Sequence, residues 1–429
     1  MRLAGRLTAA IEVLDDMEKR RRPVADALKD WGISHRFAGS GDRAAIGTLV
    51  YDALRNRSWL SWRMGSETPV ALGYGALFAM METTRNLTEL LEELASDVFA
   101  PPPLNEKSWQ AWQNRALNEA ADEIRASLPL WSVDFFKKTF GADWSDQARA
   151  LSERPPLDLR RNTLKTSHSR LGSALNDYQA QPISWFETAW RIAPTSGFER
   201  HPNIQALGAF QKGWFEIQDL GSQIVAHLTD VKNNVQLLDY CAGGGGKTLE
   251  LAAMMKNHGQ IYAHDTDKAR LAPIFARLKR ADVRNVQVIE QPSALDSLAN
   301  KMDLVLVDAP CSGSGTWRRH PDAKWRLRPA QVQRRVEEQK QILEKASQYV
   351  RPGGRLAYIT CSLFDVENQC QIANFLEHNE HFRAIDMRTQ WQDLMPASAP
   401  LPHFNDIGLT LSPVSTMSDG FYIALIERH

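Results

Sequence analysis

The apolar residues divide the chain into three parts by their spacing. In the first, Leu3, Leu7, Ile11, Leu14 and Met17 recur at three- and four-residue intervals, which places them on one face of a helix. After the cationic turn KRRRP (19–23) the same period resumes in Val24, Leu28 and Trp31. Ser40 and Asp42 are N-cap candidates for a helix striped by Ile46, Leu49, Val50, Ala53 and Leu54. Helical patterning continues to about Leu94, breaks at the prolines of FAPPPLNEKSW (99–109) and resumes from Trp109 to about Ser127. An all-α domain is expected over residues 1–130.

The second part, residues 131–212, mixes periods. LDLRRNTLKT (157–166) alternates like a strand, HSRLGSALNDY (168–178) suits a helix, and WFETAWRIA (185–193) suits a second strand, so a small α+β subdomain is expected. From Gly213 to the end, short β-rich runs alternate with helical segments: VQLLDYCA, GQIYAHD, NVQVIEQ, MDLVLVDAP and GRLAYITC. That alternation predicts parallel βαβ units and a doubly wound α/β domain over residues 213–429.

A length of 429 residues agrees with more than one domain, and 43% hydrophobic residues suffice for sizeable cores. Formal net charge is zero, so any nucleic-acid contact must come from local basic patches. The N-terminal MRLAGRLTAAIEVLDD lacks the apolar region of a signal peptide, and no apolar run approaches a membrane span; a soluble, cytoplasmic, monomeric protein is expected. Cys241, Cys311, Cys361 and Cys370 show no CxxC spacing, and His258, His264 and His320 show no ligand spacing, so neither a metal site nor a disulfide framework is expected.

The candidate chemistry begins in LLDYCAGGGGKTLEL (237–251). A phosphate-cradling loop requires Gly, four residues, then Gly-Lys-Ser/Thr. Gly246, Lys247 and Thr248 supply the end, but Cys241 stands where the opening glycine must turn, which disfavours ATP. A strand, a glycine turn and a helix equally suit a nucleoside cofactor, whose ribose an acid at the end of the next strand would bind; Asp265 stands there. The glycines alone are also compatible with a plain tight βα turn. VLVDAPCSGSG (305–315) and YITCSLFDVEN (358–368) then end two later strands in an acid and two thiols. In a doubly wound sheet these ends open on one crevice, so Asp308, Cys311 and Cys361 converge there. Position alone leaves open which thiol attacks.

In DYCAGGGGKT, VDAPCSGSGTWRRHPDAKW, VRPGGRLAYITCSLFDVEN and DGFYIAL, preceded by LDLRRNTLK and FEIQDLGSQ, the chain resembles the RsmB/NOP family of S-adenosylmethionine-dependent RNA cytosine-5 methyltransferases. The resemblance covers about residues 130–429, and the first 120 residues are similar to the NusB-like helical RNA-binding domain of bacterial RsmB proteins. It implies a Rossmann-like methyltransferase domain behind a small RRM-like subdomain. It implies Cys361 as nucleophile, Cys311 as the thiol that assists release, and Asp308 between cofactor and base. Cys241, Ala242, Gly243, Gly244, Gly245, Gly246 and Lys247, with Asp265 and Asp308, would hold S-adenosylmethionine. Two positions depart from the family: Gly244 stands where a proline is usual, and the third strand ends at Glu290 and Gln291 without the usual acid near the adenine.

RNA contact is expected in TWRRHPDAKWRLRP (316–329), where five Lys or Arg residues face one Asp and interleave with Trp317 and Trp325. Arg318, Arg319, Lys324 and Arg326 are the candidates, the alternative being a solvated face with two core tryptophans. The reaction that the resemblance implies is methylation of cytosine carbon 5 in RNA, with bacterial small-subunit ribosomal RNA as the expected substrate. Transfer RNA as substrate and a non-catalytic assembly factor are the alternatives.

Overall fold

The computed structural model describes residues 1–200 and 202–429. They form two compact units, one of Met1–Pro155, Pro194–His201 and Trp317–Leu327, the other of Pro156–Ala193, Pro202–Thr316 and Arg328–His429. No helix among the described residues is long and apolar enough to cross a membrane.

The first unit is helical. The predicted stripes become Leu3–Arg20, Val24–Ser34 and Ser40–Arg55, followed by Arg57–Met64, Pro69–Met81 and Leu87–Ser96. Leu7, Leu14, Ile46, Leu49, Leu54, Leu77 and Phe78 meet in one buried core. Thr68 caps the fifth helix, its Oγ1 accepting from the Ala71 N–H at 3.3 Å, with Pro69 in the first turn, where a missing N–H costs nothing. The helix expected from Trp109 to Ser127 is shorter, Glu106–Asn114. Tertiary bonds pull Arg115 out of helical geometry: its guanidinium donates to the Trp62 carbonyl and its own carbonyl accepts from Arg63 Nε at 3.1 Å.

Trp317–Leu327 belongs to this helical unit although it follows the strand and small-residue loop VLVDAPCSGSG of the other unit. Trp317 is fully buried, its ring 6.0 Å from Phe136. Lys324 is also fully buried, and its ammonium donates to Arg55 O at 3.0 Å and Ser152 Oγ at 3.3 Å. Trp325 Nε1 donates to Leu54 O at 2.6 Å, and Arg55 Nε to Arg318 O at 2.9 Å. The expectation that Arg318 and Lys324 reach RNA is therefore corrected: both are buried, on the side of the segment that packs into the helical unit. Arg319 is half-buried, and Arg326 is exposed and paired with Asp322 at 2.9 Å.

The second unit holds two sheets. The smaller contains β1 (Leu157–Arg161), β2 (Gln181–Pro182), β3 (Ala189–Ile192) and β4 (Phe215–Ile217), in the antiparallel order β2-β3-β1-β4. β1 is shorter than its alternation suggested because Asn162 turns away, its Nδ2 donating to both Gly213 O and Ala281 O at 2.9 Å. Trp185 and Phe186, expected in strand, instead join a core cluster of the larger sheet.

The larger sheet contains β5 (Gln236–Asp239), β6 (Gln260–His264), β7 (Val286–Ile289), β8 (Met302–Asp308), β9 (Val350–Thr360), β10 (Phe382–Ala384), β11 (His403–Phe404), β12 (Leu409–Leu411) and β13 (Phe421–Arg428). Its order is β11-β12-β13-β9-β8-β5-β6-β7, with β10 also on β13. The pairs from β7 to β9 are parallel, and β13 runs antiparallel to β9. Leu237, Leu304, Leu306, Ala357 and Ile359 point to one face, and Leu238, Val305, Val307, Leu356 and Tyr358 to the other. Both faces are apolar, as a helix-covered parallel sheet requires. The strand order reverses between β5 and β8, so loops after the C-terminal ends of these strands border one crevice.

Lys324 yields a stability prediction. Burial, with Arg55 close by, lowers its ammonium to about 7 from an ordinary 10.5. Between those values the unfolded chain binds more protons than the folded one, so this group makes stability rise with pH from about 7 to about 10. Urea unfolding of wild type and Lys324→Met at pH 7 and pH 9 should show that rise in the wild type and its loss in the variant. Equal pH dependence would place the ammonium in contact with water.

Candidate active site

The glycine turn sits between β5 and the helix Gly246–Met254. Gly243 and Gly245 adopt left-handed φ of 49° and 80°. A Cβ at 245 would lie 2.5 Å from Ile274 Cγ1, so both backbone angle and space demand glycine there. Asp265, buried at the end of β6, organises the turn: its Oδ2 accepts from the Gly243 N–H at 2.9 Å and its Oδ1 from the Asp267 N–H at 2.8 Å. Cys241 is a half-buried thiol pushed well above its ordinary range by burial and then by Asp239 and Asp265. It is no thiolate at neutral pH, so it lines the turn as an apolar group.

A buried acid, a half-exposed acid and a lysine surround the crevice. Asp239 ends β5 and accepts from Thr248 Oγ1 at 2.6 Å, while its Oδ1 is buried with no protein partner. Burial drives this carboxyl to about 7 against the pull of the Thr248 hydrogen bond. Lys247 Nζ donates to Asp308 Oδ2 at 2.6 Å. Burial opposes the Lys247 charge, but the Asp308 carboxylate outweighs it and holds the ammonium above its usual range. Asp308 keeps 35% of its side chain exposed, so it can meet a ligand while Lys247 fixes it from behind.

The two thiols follow the adjacent strands β8 and β9, where Asp308 lies opposite Ile359. Cys311 Sγ and Cys361 Sγ are 3.4 Å apart, in contact but unbonded. The Cys361 contact, then burial, pushes the Cys311 thiol well above its ordinary range. Glu367, fully buried, clamps the two loops. Its Oε1 accepts from the Ser312 N–H at 2.8 Å and Gln339 Nε2 at 3.1 Å, and its Oε2 from the hydroxyls of Ser312 and Ser362. Gly315 seats the first loop against the start of β13: its carbonyl accepts from the Gly420 N–H at 2.9 Å, and a Cβ at 315 would lie 2.1 Å from Gly420 O.

The structure thus brings Asp265, Lys247, Asp308, Cys311 and Cys361 to one sheet edge, and leaves Arg318 and Lys324 in the helical core. Sequence reasoning missed Asp239, Glu367 and Gln339. Glu367 stood inside the quoted YITCSLFDVEN run, one of two acids that follow Thr-Cys-Ser there, and nothing local marked it out from Asp365. Gln339 carried none, since it arrives from the helix Pro329–Ser347. No group of three or more His, Cys, Asp or Glu residues among those described could hold a metal ion.

The donor set fits S-adenosylmethionine. The first-turn N–H groups of Gly246–Met254, the orphaned Asp239 carboxylate oxygen and the acid at the end of β6 suit a zwitterionic nucleoside better than a triphosphate, which three acids would repel. Asp265→Ala should weaken cofactor binding more than about tenfold by calorimetry, because it frees Gly243 as well as removing an acceptor. Asp265→Asn, which keeps one acceptor, should lose less. Wild-type affinity in both would place the nucleoside elsewhere.

Comparison with known proteins bears on the whole arrangement. A ribosomal RNA small subunit methyltransferase B from Yersinia pseudotuberculosis is 33% identical over 319 residues, covering 73% of this chain and 68% of its own. A methyltransferase homologue from Pyrococcus horikoshii aligns with a TM-score of 0.59 at 27% identity, over 72% of this chain and 98% of its own. The crystal structure of PH0851 shares the fold along 100% of this chain and 99% of its own, with a TM-score of 0.73 at 23% identity. The sequence model of the family described as 16S rRNA methyltransferase RsmB/F matches residues 226–427. With 33% identity to the Yersinia protein over 68% of that protein's length, and with the family model matching its C-terminal part, the chain belongs to the RsmB/F family of RNA methyltransferases.

Proposed function

We propose that the protein methylates carbon 5 of a cytosine in small-subunit ribosomal RNA, with Cys361 as nucleophile and Cys311 as the thiol that permits release. The observation that carries this reading is the contact of Cys311 and Cys361 at 3.4 Å, next to the Lys247–Asp308 pair. A methyltransferase acting on an already nucleophilic nitrogen or oxygen needs neither thiol.

Carbon 5 of cytosine is a weak nucleophile. A thiolate adding at carbon 6 turns the ring into an enamine, splitting one hard step into easier ones. Bound S-adenosylmethionine supplies an electrophilic methyl group. The cytosine must leave its stack to reach the sheet edge. There Asp308, fixed by Lys247, is available to the exocyclic amino group and N3, where charge develops. Two sulfurs in contact cannot both ionise, and the Cys361 contact and burial push the Cys311 thiol upward; the family resemblance supports Cys361 as the one that attacks. After transfer the carbon-5 proton is removed, the bond from Cys361 to carbon 6 breaks, and the neighbouring Cys311 assists that departure. Among the basic residues after the catalytic loop, Arg319 and Arg326 are the ones we assign to RNA.

The thiol roles predict opposite phenotypes on a denaturing gel with labelled RNA. Cys361→Ala should form no covalent adduct and no 5-methylcytosine, whereas Cys311→Ala should methylate once and accumulate bound to RNA. Adduct in Cys361→Ala that vanishes in Cys311→Ala would reverse the assignment. Bisulfite sequencing of cellular RNA with and without the protein should reveal a cytosine whose protection depends on it, and unchanged small-subunit RNA would overturn the substrate.

For RNA contact, Arg326→Ala should reduce the dependence of log affinity on log salt by about one ion or less. An unchanged slope would return Arg326 to its pairing with Asp322 alone.

A further inference from the structure

Four consecutive glycines, 243 to 246, give the cofactor turn more backbone freedom to lose on ordering than any other four-residue stretch of comparable role. Three of its constraints are ordinary: the Ala242 N–H donates to His264 O at 2.8 Å, the Gly245 N–H to Ala242 O at 2.9 Å, and the Gly243 N–H to Asp265. A further one is a cationic side chain from a helix of the same unit. Arg277 Nη1 donates to the Gly244 carbonyl at 2.6 Å, and Nη2 of the same guanidinium donates to Glu216 Oε2 at 3.0 Å. Glu216 is buried on β4 of the small sheet, and its other oxygen accepts from Arg280, one turn further along the helix Ile274–Ala281. One planar fork thus ties the small sheet to the glycine turn of the large one.

We propose that Arg277, braced by Glu216, is a positioning residue that holds the cofactor turn in its binding form, doing by a side-chain bridge what a proline at 244 would do by ring closure. The proposal rests on the turn being the cofactor site. Gly244 is not in the left-handed region, and among the described residues none accepts from its N–H, so a proline there would lose no hydrogen bond. A Cβ at 244 would lie 3.3 Å from Arg277 Nη1, closer than a relaxed contact. A proline ring at 244 would therefore press on the end of the Arg277 side chain, which must give by a few tenths of an ångström. Each can order the turn, and each crowds the other.

This crowding makes the test a sign-changing double-variant cycle on the full chain, read by calorimetry with S-adenosylhomocysteine. Arg277→Lys keeps a cation beside Glu216, but a point charge cannot donate along both directions of the fork. It should weaken binding about tenfold. Amide exchange at residues 243–246 should quicken while that of β8 and β9 stays unchanged. Gly244→Pro should leave the wild type no better, or worse. In the Arg277→Lys background the same change should recover about threefold or more, by removing freedom from the unbound turn. Wild-type affinity in Arg277→Lys, or no recovery on adding the proline, would overturn the proposal. Failure of the wild type itself to bind would overturn the cofactor assignment of the turn instead.

Discussion

The parallel pairing of β8 with β9 is the constraint on which the catalytic geometry depends. The strands run in register from Leu304 opposite Arg355 to Asp308 opposite Ile359. Both bury apolar residues on both faces, so a one-residue slip would exchange the two faces along the whole pair. With that register fixed, the two strands end at one level, and the loops that follow carry Cys311 and Cys361 to within 3.4 Å. Neither loop is regular, and Glu367 supplies what a ladder would otherwise provide. A single buried carboxylate accepts from a backbone N–H, two hydroxyls and Gln339, bonds of the charge-assisted kind worth about 1.5–3 kcal/mol each.

Charge in the crevice is arranged around one lysine. Lys247, buried at the start of its helix, neutralises Asp308 directly and lies close enough to Cys361 and Asp239 to be held cationic by them as well. Asp239, without a cation of its own, is shifted toward the neutral form by burial. The same scaffold can therefore present one acid paired with a cation and another shifted upward by burial at the ends of adjacent strands, a difference set by partners and not by residue type.

The helical unit uses its cations differently. Arg318 and Lys324 sit in a segment that enters that unit's core, where Lys324 meets a backbone carbonyl and a hydroxyl instead of a carboxylate. Burying an ammonium against neutral acceptors costs solvation that no salt bridge offsets, which is why its proton is loosely held. The feature marks the segment as packed structure. A basic, tryptophan-rich run is no guide to its surface when both tryptophans have apolar neighbours to join.

The sequence by itself determined the parts governed by local period and strand chemistry. The striped helices at 3–20 and 40–55, the parallel strands from β5 to β9, and the residues at their ends all follow from spacing, because a helix repeats near 3.6 and a doubly buried strand reads as a short apolar run. Tertiary structure decided what depends on partners distant in sequence. Arg115 ends a helix because Trp62 and Arg63 claim it, and Asn162 ends β1 because Gly213 and Ala281 do. Glu367 becomes a clamp only where Gln339 and Ser312 reach it, and Arg277 a brace only where Gly244 and Glu216 lie on either side of one guanidinium. Lys324 ends in a core because its two acceptors stand 269 and 172 residues away. Hydrogen bonds and burial are set by neighbours in space, and local pattern holds no record of which neighbours those will be.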